Sequence, residues 1–567
     1  MGCMVPTSVH TTCLITYRGN GFLKCRAPAQ LAQRMIRVNS RRLLPQAVGL
    51  KRSKAVGLKR RVVTTRAAAT DVSTSTSNKN AEQKLPFDTV YDIQLLKSYY
   101  SKRKGDLANR IAFCAGRVLR IAAAWKLDEV LPSKNGVRRG KVLRDTISGM
   151  GPVFVKLGQT LSTRPDIIGD EACEALGELQ DQMPQFNDIV AFNTISEELN
   201  WAGPICPEDT RPGLEGTTTL FKELTMKPVS AASLGQVYKG MTHEGVEVAV
   251  KVQRPALLPA VSRDLYLLRV FLEWWEKTFQ SGAVTPEIAD SLGDGILSEL
   301  DYFKEAANMD AFRVAHEPYA FMAVPRWLPK YTGKRVLTTE WVNGRKLSQL
   351  APADQVLAAQ YSVEASVAQL LMTGVLHADP HEGNLLFGDD RKLYFLDFGL
   401  LSIMKPNHME GMAQGILHLI GGDWVGLLQD FGDMEILNPP FLKWDYDGKP
   451  KGWKPIPKSD FEKAFITCLK DSGDQANRTS FGELFAELAS IGMNYRFACP
   501  AYYVLVMRSF VTLEGVAARA DPDFNIYTAA APYAVRRGLT PRTPSGERAL
   551  RDALLNKRGE LKLEELH

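Results

Sequence analysis

Acidic residues are missing from the beginning of this chain, since the first Asp or Glu among its 567 residues is Asp71. Residues 1–70 carry fourteen Lys and Arg and are rich in Ser, Thr and Ala. They also lack the compact apolar centre of a secretory signal, whereas an organelle transit peptide has this composition. We therefore expect residues 1–69 to be a chloroplast transit peptide. The alternative interpretation is a basic disordered arm.

Long apolar runs and paired cysteines are lacking as well. After residue 70, no uncharged run reaches the roughly 18 apolar residues that a membrane-spanning helix needs, so any membrane association would be peripheral. None of the eight cysteines forms a CxxC motif or a Cys/His cluster, which argues against structural zinc and against a disulfide framework. Beyond residue 70, 56 basic residues face 63 acidic ones, and this net charge of −7 does not indicate a nucleic-acid-binding protein.

Composition and periodicity divide the rest of the chain into five segments. Residues 70–87 are polar, as is typical of a linker, and residues 88–218 have a helical pattern. Residues 219–345 are β-rich with a long helical insertion, residues 346–530 are mainly helical, and residues 531–567 form a charged tail. A small β-rich unit followed by a larger helical one predicts a two-lobed α+β fold with a cleft between the lobes.

The most specific motif is HADPHEGN at 377–384, which is followed by LDFG at 396–399. Asp379 and Asn384 are five positions apart, as in the catalytic loop of protein kinases, and Asp397 follows thirteen residues after Asn384. Phosphoryl transfer needs a carboxylate near the acceptor hydroxyl, and an amide and a second carboxylate that hold Mg²⁺ against the phosphates. We expect Asp379 to be the base and Asn384 and Asp397 to be the metal ligands.

A lysine inside an apolar strand is the second element of this predicted site. Lys251 lies in VEVAVKV, which alternates like a half-buried strand, and burying its charge is costly unless a partner is present. We assign Lys251 to the α- and β-phosphates; the alternative is an edge-strand lysine that faces water. A helix predicted over 299–312 supplies the partner, and we choose Glu305. The alternative is that the acidic face of this helix is solvated and pairs with no lysine. On an ideal helix Glu299 and Asp301 lie about 160° apart, so they could not face one partner unless the helix begins irregularly.

The loop SAASLGQV precedes that strand, where a kinase has its glycine-rich loop. Only the last of the three glycines of that pattern is present, so we expect this loop to hold phosphates differently from an ordinary kinase. The hinge between the lobes is predicted from sequence order alone, and its backbone would contact adenine. The expected nucleotide contacts are Ala231, Ala232, Ser233, Gly235, Val237 and Lys251 in the upper lobe, and Glu340 and Val342 in the hinge.

Together these elements resemble the UbiB family of atypical kinases, the activity-of-bc-one-complex-like proteins of bacteria, mitochondria and plastids. The resemblance covers roughly residues 88–520 and also includes FVKLGQTLSTRPD at 154–166. It implies that a helical extension folds over the nucleotide cleft and that Lys156 acts in the site; without the family, Lys156 would be interpreted as a solvated helix lysine. The signatures that it implies are KxGQ at Lys156, Gly158 and Gln159, and ExD at Glu299 and Asp301.

The resemblance also implies a protein-kinase-like fold and a Mg²⁺-dependent kinase or ATPase that uses ATP or ADP. It implies support of prenylquinone metabolism (plastoquinone, tocopherol) at plastoglobules or thylakoids, with a lipid substrate and protein partners in quinone biosynthesis. His381 stands where protein kinases place a lysine. No Ser or Thr lies between Ser402 and Ser459, so an activation loop that is switched by Ser/Thr phosphorylation has no acceptor there. Two alternatives stay open, a serine/threonine protein kinase of plastid proteins and a non-catalytic nucleotide-binding scaffold.

Overall fold

The structure is a computed structural model. The residues that it describes are 88–130, 137–161, 175–176, 185–231, 234–279, 286–445, 452–471, 491, 495–498, 514, 517 and 526–554. The predicted transit peptide, residues 1–69, and the predicted linker, residues 70–87, lie outside the described residues.

The elements alternate between helical stretches and short sheets. The helices are α1 Ile93–Tyr100, α2 Lys104–Val130, α3 Val137–Ser148, α4 Pro152–Leu161, α5 Asp188–Glu198, α6 Leu257–Phe279, α7 Glu287–Ser298, α8 Tyr302–Ala315, α9 Pro352–Ala368, α10 Pro406–Gly421, α11 Trp424–Asp433, α12 Lys458–Asp471, α13 Ile526–Gly538 and α14 Pro544–Leu554. The strands are β1 Glu223–Leu224, β2 Ser230–Ala231, β3 Gly235–Met241, β4 Glu247–Gln253, β5 Met322–Ala323, β6 Val336–Glu340, β7 Gly344–Arg345, β8 Val375–His377, β9 Leu385–Gly388, β10 Leu393–Phe395, β11 Leu401–Ile403, β12 Asn438–Asp445, β13 Gly452–Pro455 and β14 Tyr495–Ala498.

An antiparallel sheet in the order β1-β3-β4-β6, with β2 paired to β3, forms the upper lobe. Val248, Val250 and Val252 of β4 are fully buried, and they pack with residues of α5 in one apolar cluster. Because side chains alternate along a strand, Lys251 points to the other face of this sheet. The predicted half-buried strand VEVAVKV and the turn before it are therefore confirmed.

The lower lobe is mainly helical, as predicted, with short strand pairs at its upper edge. β9 and β10 pair around a turn at residues 389–392, which confirms the two strands predicted there. β8 pairs with β11, so the segments on either side of the HADPHEGN and LDFG motifs are hydrogen-bonded neighbours. A large apolar core under these strands joins α8, α9, α10 and α13. The mixture of a small antiparallel sheet and a helical lobe confirms the α+β fold class.

Two predicted boundaries differ from the structure. The helix predicted over 299–312 is broken, because α7 ends at Ser298 and Asp301 caps a new helix by accepting a hydrogen bond from the Phe303 amide at 3.1 Å. The charged tail predicted from residue 531 begins inside α13, whose Ala530 and Ala534 are buried in the lower-lobe core. No helix among the described residues is long and apolar enough to cross a membrane.

Candidate functional site

A cavity of about 490 Å³ lies between the two lobes. Its wall brings together residues from the helical extension, the sheet, the hinge and both lower-lobe motifs. The predicted residues that line it are Lys156, Gln159, Ala231, Val237, Lys251, Glu299, Glu305, Glu340, Val342, Asp379, Asn384 and Asp397. Ala232 and Ser233 lie outside the described residues.

Lys251 is held by a carboxylate from helix α8. Its Nζ lies 2.8 Å and 3.0 Å from the two carboxylate oxygens of Glu305 and 3.4 Å from Oδ2 of Asp397. The Glu305 side chain is only 4% exposed, whereas that of Asp397 is 45% exposed because it faces the open cavity. The structure thus has the lysine–glutamate ion pair and the DFG aspartate in one place, which kinases require for activity.

The electrostatics of the cavity keep its cations and one of its carboxylates charged. Burial would lower the pKa of Lys251, but the charges of Asp397 and Glu305 outweigh it and hold this pKa well above its ordinary value. Desolvation would raise the pKa of Asp397, yet the charges of Lys251 and Lys156 hold it well below the usual range of a carboxyl group. Asp397 is therefore a carboxylate, the form in which it can bind a cation.

His377 connects the two lower-lobe motifs. Its Nδ1 accepts a hydrogen bond from the Asp379 amide at 3.3 Å, and its Nε2 donates to the Leu396 carbonyl at 2.9 Å. Burial lowers the pKa of His377, so the neutral ring with the proton on Nε2 satisfies both contacts. His377 therefore fixes the spacing between the catalytic-loop backbone and the strand that carries Asp397.

The catalytic loop is further held by its own side chains. The side-chain amide of Asn384 donates to the Asp379 carbonyl at 3.0 Å. The Gly383 amide donates to Nδ1 of His381 at 3.0 Å, which places the proton of that ring on Nε2, 3.7 Å from Oδ2 of Asp379. The imidazole thus occupies the neighbourhood of the predicted base, where protein kinases have a lysine.

Helix α8 also fixes the DFG segment. The side-chain amide of Asn308 donates to the Phe398 carbonyl at 2.9 Å. The Phe398 ring is fully buried and packs 5.2 Å from the Phe312 ring, measured between centroids. Because Phe398 points into the core, Asp397 is turned toward the cavity, with φ of 57° in the left-handed region. No sequence motif predicts this contact.

Helix α4 of the extension reaches into the same cavity. Nζ of Lys156 lies 3.0 Å and 2.9 Å from the two carboxylate oxygens of Glu299, at the end of α7. Burial would lower the pKa of Lys156, but the charges of Glu299, Asp379 and Asp397 together raise it above the ordinary value. Because the helix breaks after Ser298, Glu299 pairs with Lys156 while Asp301 serves as a cap. This break removes the conflict between these two acids on one ideal helix.

Gly235 is needed for packing. A Cβ at this position would lie 2.6 Å from the Val252 carbonyl oxygen and 2.9 Å from the Tyr302 hydroxyl. Only glycine therefore lets β3 approach β4 and α8 this closely. Gly235 is not among the residues that line the cavity, unlike its predicted loop neighbours Ala231 and Val237.

The hinge end of the cavity is apolar. Sequence analysis missed Ala249, Leu337, Met309 and Leu386, which line it. Ala249 could have been found, because it lies two positions from Lys251 and therefore on the same face of β4. The Glu340 and Trp341 amides already donate to the carbonyls of Arg326 and Glu247, at 2.8 Å and 2.9 Å.

The oxygen donors at the other end of the cavity fit a magnesium ion that is shared with phosphates. Asn384 and Asp397 supply an amide and a carboxylate to the same wall. Among the described residues, no three His, Cys, Asp or Glu side chains are placed to hold a metal ion by themselves. Mg²⁺ in nucleotide sites is ordinarily bound by one or two protein groups together with the substrate phosphates.

Comparisons with known proteins agree with this geometry. Residues 213–431 match the ABC1 atypical kinase-like domain, and residues 472–525 match the UbiB helical domain. The first range contains Lys251, Glu305 and both lower-lobe motifs. Most of the second range lies outside the described residues.

Curated relatives extend the similarity beyond these domains. Two uncharacterized Synechocystis proteins are 34% and 35% identical; the matches cover 83% and 74% of this chain and 66% and 70% of theirs. The chloroplastic Protein Activity of BC1 Complex Kinase 3 of Arabidopsis thaliana is 36% identical over 74% of this chain and 56% of its own length. This chain therefore spans between about half and somewhat over two thirds of the length of these relatives.

Proposed function

This chain belongs to the ABC1 atypical kinase-like family, and from that premise we propose that it is a Mg²⁺-dependent kinase or ATPase of the plastid. The observation that carries the proposal is the convergence of Lys251, Glu305, Asp397, Asp379 and Asn384 on one cavity between the lobes. Each has the residue type that phosphoryl transfer needs at that place. ATP or ADP would be the nucleotide.

The residues have separate roles in this proposal. Lys251, oriented by Glu305, binds the α- and β-phosphates, and the apolar end of the cavity receives the base. Since the Glu340 and Trp341 amides donate to the carbonyls of Arg326 and Glu247, the Val342 amide would be the hinge amide that contacts the adenine edge. Asn384 and Asp397 would hold Mg²⁺, which, when bound, neutralises charge on the phosphates. Asp379 accepts the proton of the acceptor hydroxyl or positions a water molecule.

We assign the acceptor to lipid metabolism, with prenylquinones as the substrate class and a plastoglobule or thylakoid surface as the location. The curated relative from Arabidopsis named above is chloroplastic, and that name supports a plastid location here. Helix α4 and its Lys156 occupy the side of the cavity near Asp379, which narrows the room for a peptide. This favours a small acceptor or water over the alternative protein substrate.

Mass spectrometry of products tests the proposal. The full chain is incubated with ATP, Mg²⁺ and detergent-dispersed plastoquinone precursors, and ADP, free phosphate and phosphorylated lipid are measured. Asp397→Asn should lower turnover on the order of a hundredfold or more, because the charged metal ligand is lost. Asp389→Asn, the same change on an exposed turn of the same lobe, should leave turnover unchanged.

The other outcomes decide between the alternatives. Phosphate on a plastid protein and none on lipid would establish the protein kinase instead. Thermal stabilisation by nucleotide without turnover under any lipid condition would leave a nucleotide-binding scaffold. Equal turnover of Asp397→Asn and the parent would overturn the assigned site.

A further inference from the structure

A short segment before α1 spans the break between α7 and α8. It consists of residues 88–91, and we call it the strap. Thr89 within it is only 5% exposed, whereas its neighbour Val90 is 65% exposed, so one side of the strap lies against the protein. Glu299 directly follows α7 and Glu305 belongs to α8, so the relative position of these two helices sets both ion pairs of the site.

Tyr91 holds the strap against α7. Its hydroxyl donates to Oδ1 of Asp290 at 2.7 Å, and Nε of Arg269 on α6 donates to the same oxygen at 2.9 Å. The Tyr91 ring packs against the apolar cluster that contains Leu297 near the end of α7. A Cβ at Gly293 would lie 2.5 Å from two carbons of this ring, so only a glycine on α7 lets the ring approach so closely.

Two lysines hold the other end of the strap against α8. Nζ of Lys304, in the first turn of α8, donates to the Thr89 carbonyl at 3.3 Å. Lys334, which precedes β6, pairs with the Asp88 carboxylate. The Lys334 carbonyl in turn accepts from the amide of Tyr302, the first residue of α8, at 3.0 Å. The strap therefore contacts α8 directly and also through the segment that leads into β6.

The two helices belong to different apolar cores. Ile296 and Leu297 of α7 are buried in the cluster that also includes residues of α4 and α6. Met309 and Phe312 of α8 are buried in the lower-lobe core instead. Packing therefore fixes each helix to a different part of the protein. A segment that contacts both helices adds a direct restraint between them.

We propose that the strap positions α8 relative to α7, and through it Glu305 against Lys251. A kinase-like site is active only when this lysine–glutamate ion pair is in place. Thr89 and Tyr91 are not among the described residues that line the cavity, so they act through α7 and α8 as positioning residues. The inference rests on the proposed function and deepens it, since it assigns control of the ion pair to a segment of the helical extension.

Gly293→Ala tests the strap, because the added methyl group displaces the Tyr91 ring from α7. Alanine is the better helix former, so the change does not weaken α7 itself. Gly295→Ala is the matched control on the same helix, because its Cβ would lie an ordinary 3.7 Å from Cδ2 of Leu400. Hydrogen exchange of the nucleotide-free full chain measures how firmly α8 is held. The amides of α8 should exchange about fivefold or more faster in Gly293→Ala, and at the parent rate in Gly295→Ala.

Nucleotide binding connects the strap to the ion pair. ATP with Mg²⁺ should bind about fivefold more weakly to Gly293→Ala than to the parent, because Lys251 is oriented less firmly. In a chain that already carries Glu305→Gln, the same glycine change should alter binding less than about twofold, because the pair that the strap positions has been removed. Tyr91→Phe keeps the ring and loses only the bond to Asp290, so it should change exchange and binding in the same direction by about twofold.

Thermal unfolding shows whether each variant is folded. Tyr91→Phe introduces no new atom, so it provides the same test if Gly293→Ala does not fold. Unchanged exchange of α8 in both strap variants, or an equal weakening of ATP binding with and without Glu305→Gln, would overturn the proposal. A parent chain that binds no nucleotide would overturn the proposed function instead, and the exchange of α8 would still decide the role of the strap.

Discussion

At the scale of single residues, two buried histidines are held in their neutral form. His316, just after α8, has its Nδ1 2.8 Å from the Phe312 carbonyl, to which it donates, and its Nε2 2.9 Å from the Thr373 hydroxyl, from which it accepts. Burial lowers the pKa of His316 to about 4. His377 is in the same condition beside the catalytic loop. Protonation of either ring would replace an acceptor with a donor in the middle of the lower-lobe core.

The stability of the protein should therefore fall in mild acid. Between about pH 4 and about pH 6.5 the unfolded His316 binds a proton that the folded one does not, so the free energy of unfolding rises with pH. The contribution is complete above about pH 6.5 and is lost as the pH falls toward 4, with a slope of up to about 1.4 kcal/mol per pH unit. The free energy of unfolding, measured with urea at several pH values in this range, should depend less steeply on pH in His316→Gln than in the parent.

The exposed His243 provides the control for this measurement. His243→Gln should leave the slope unchanged, because its ring is not buried in either state. If His316→Gln and the parent lost the same free energy between neutral and mildly acidic pH, burial of His316 would not be the cause of acid lability.

Which site residues could be predicted from the sequence depends on whether their partners lie nearby in the sequence. Asp379, Asn384, Asp397 and Lys251 could be predicted because each sits in a short motif whose spacing reflects one chemical task. The bond between Lys156 and Glu299 joins segments 143 residues apart, so only the family resemblance pointed to these two residues. His377 and Asn308 could not be assigned at all, because their partners are backbone carbonyls, which carry no sequence signal.

At the scale of elements, the break between α7 and α8 decides where the acids of the site point. Apolar periodicity continues across residues 296–303, and this is why one helix was predicted. Asp301 has an extended backbone and accepts from the Phe303 amide, as an N-cap does. The cap starts α8 as a separate helix, and Glu305 on it pairs with Lys251 while Glu299, before the cap, pairs with Lys156. Apolar periodicity identifies the faces of a helix. It does not reveal a break that depends on one capping side chain.

Removing this cap should destabilise the fold measurably. Asp301→Ala is expected to lower the free energy of unfolding by about 1 kcal/mol, because an amide in the first turn of α8 loses its partner. Asp301→Asn keeps an oxygen acceptor and should stay within a few tenths of a kcal/mol of the parent. Urea unfolding of the three proteins measures both values. An equal loss in Asn and Ala variants would mean that the charge of Asp301, and not its capping bond, stabilises the break.

At the scale of the whole molecule, the last described helices, α13 and α14, are part of the lower lobe. Helix α13 packs along α10, and Arg537 is buried with its guanidinium 3.9 Å from the Glu410 carboxylate. Glu410 also accepts hydrogen bonds from the Arg542 amide and the Thr543 hydroxyl, which fasten the turn before α14. Composition predicted a charged tail because it counts the arginines of this segment. It does not show that one of them is buried beside a carboxylate more than a hundred residues upstream.

Truncation distinguishes a tail from a core element. A chain that ends at residue 525 lacks α13, whose Ile526, Tyr527, Ala530 and Ala534 are buried in the main lower-lobe core. Each large apolar side chain removed from a core costs about 2–5 kcal/mol, and a lost helix exposes its partners as well, so this chain should be insoluble or lose its cooperative unfolding transition. A chain that ends at residue 554 keeps α13 and α14 and should unfold like the full protein. The catalytic loop contacts the same core through His377 and Phe398, so nucleotide should no longer stabilise the chain that lacks α13. If nucleotide still stabilised that shorter chain, the cleft would fold independently of this helix.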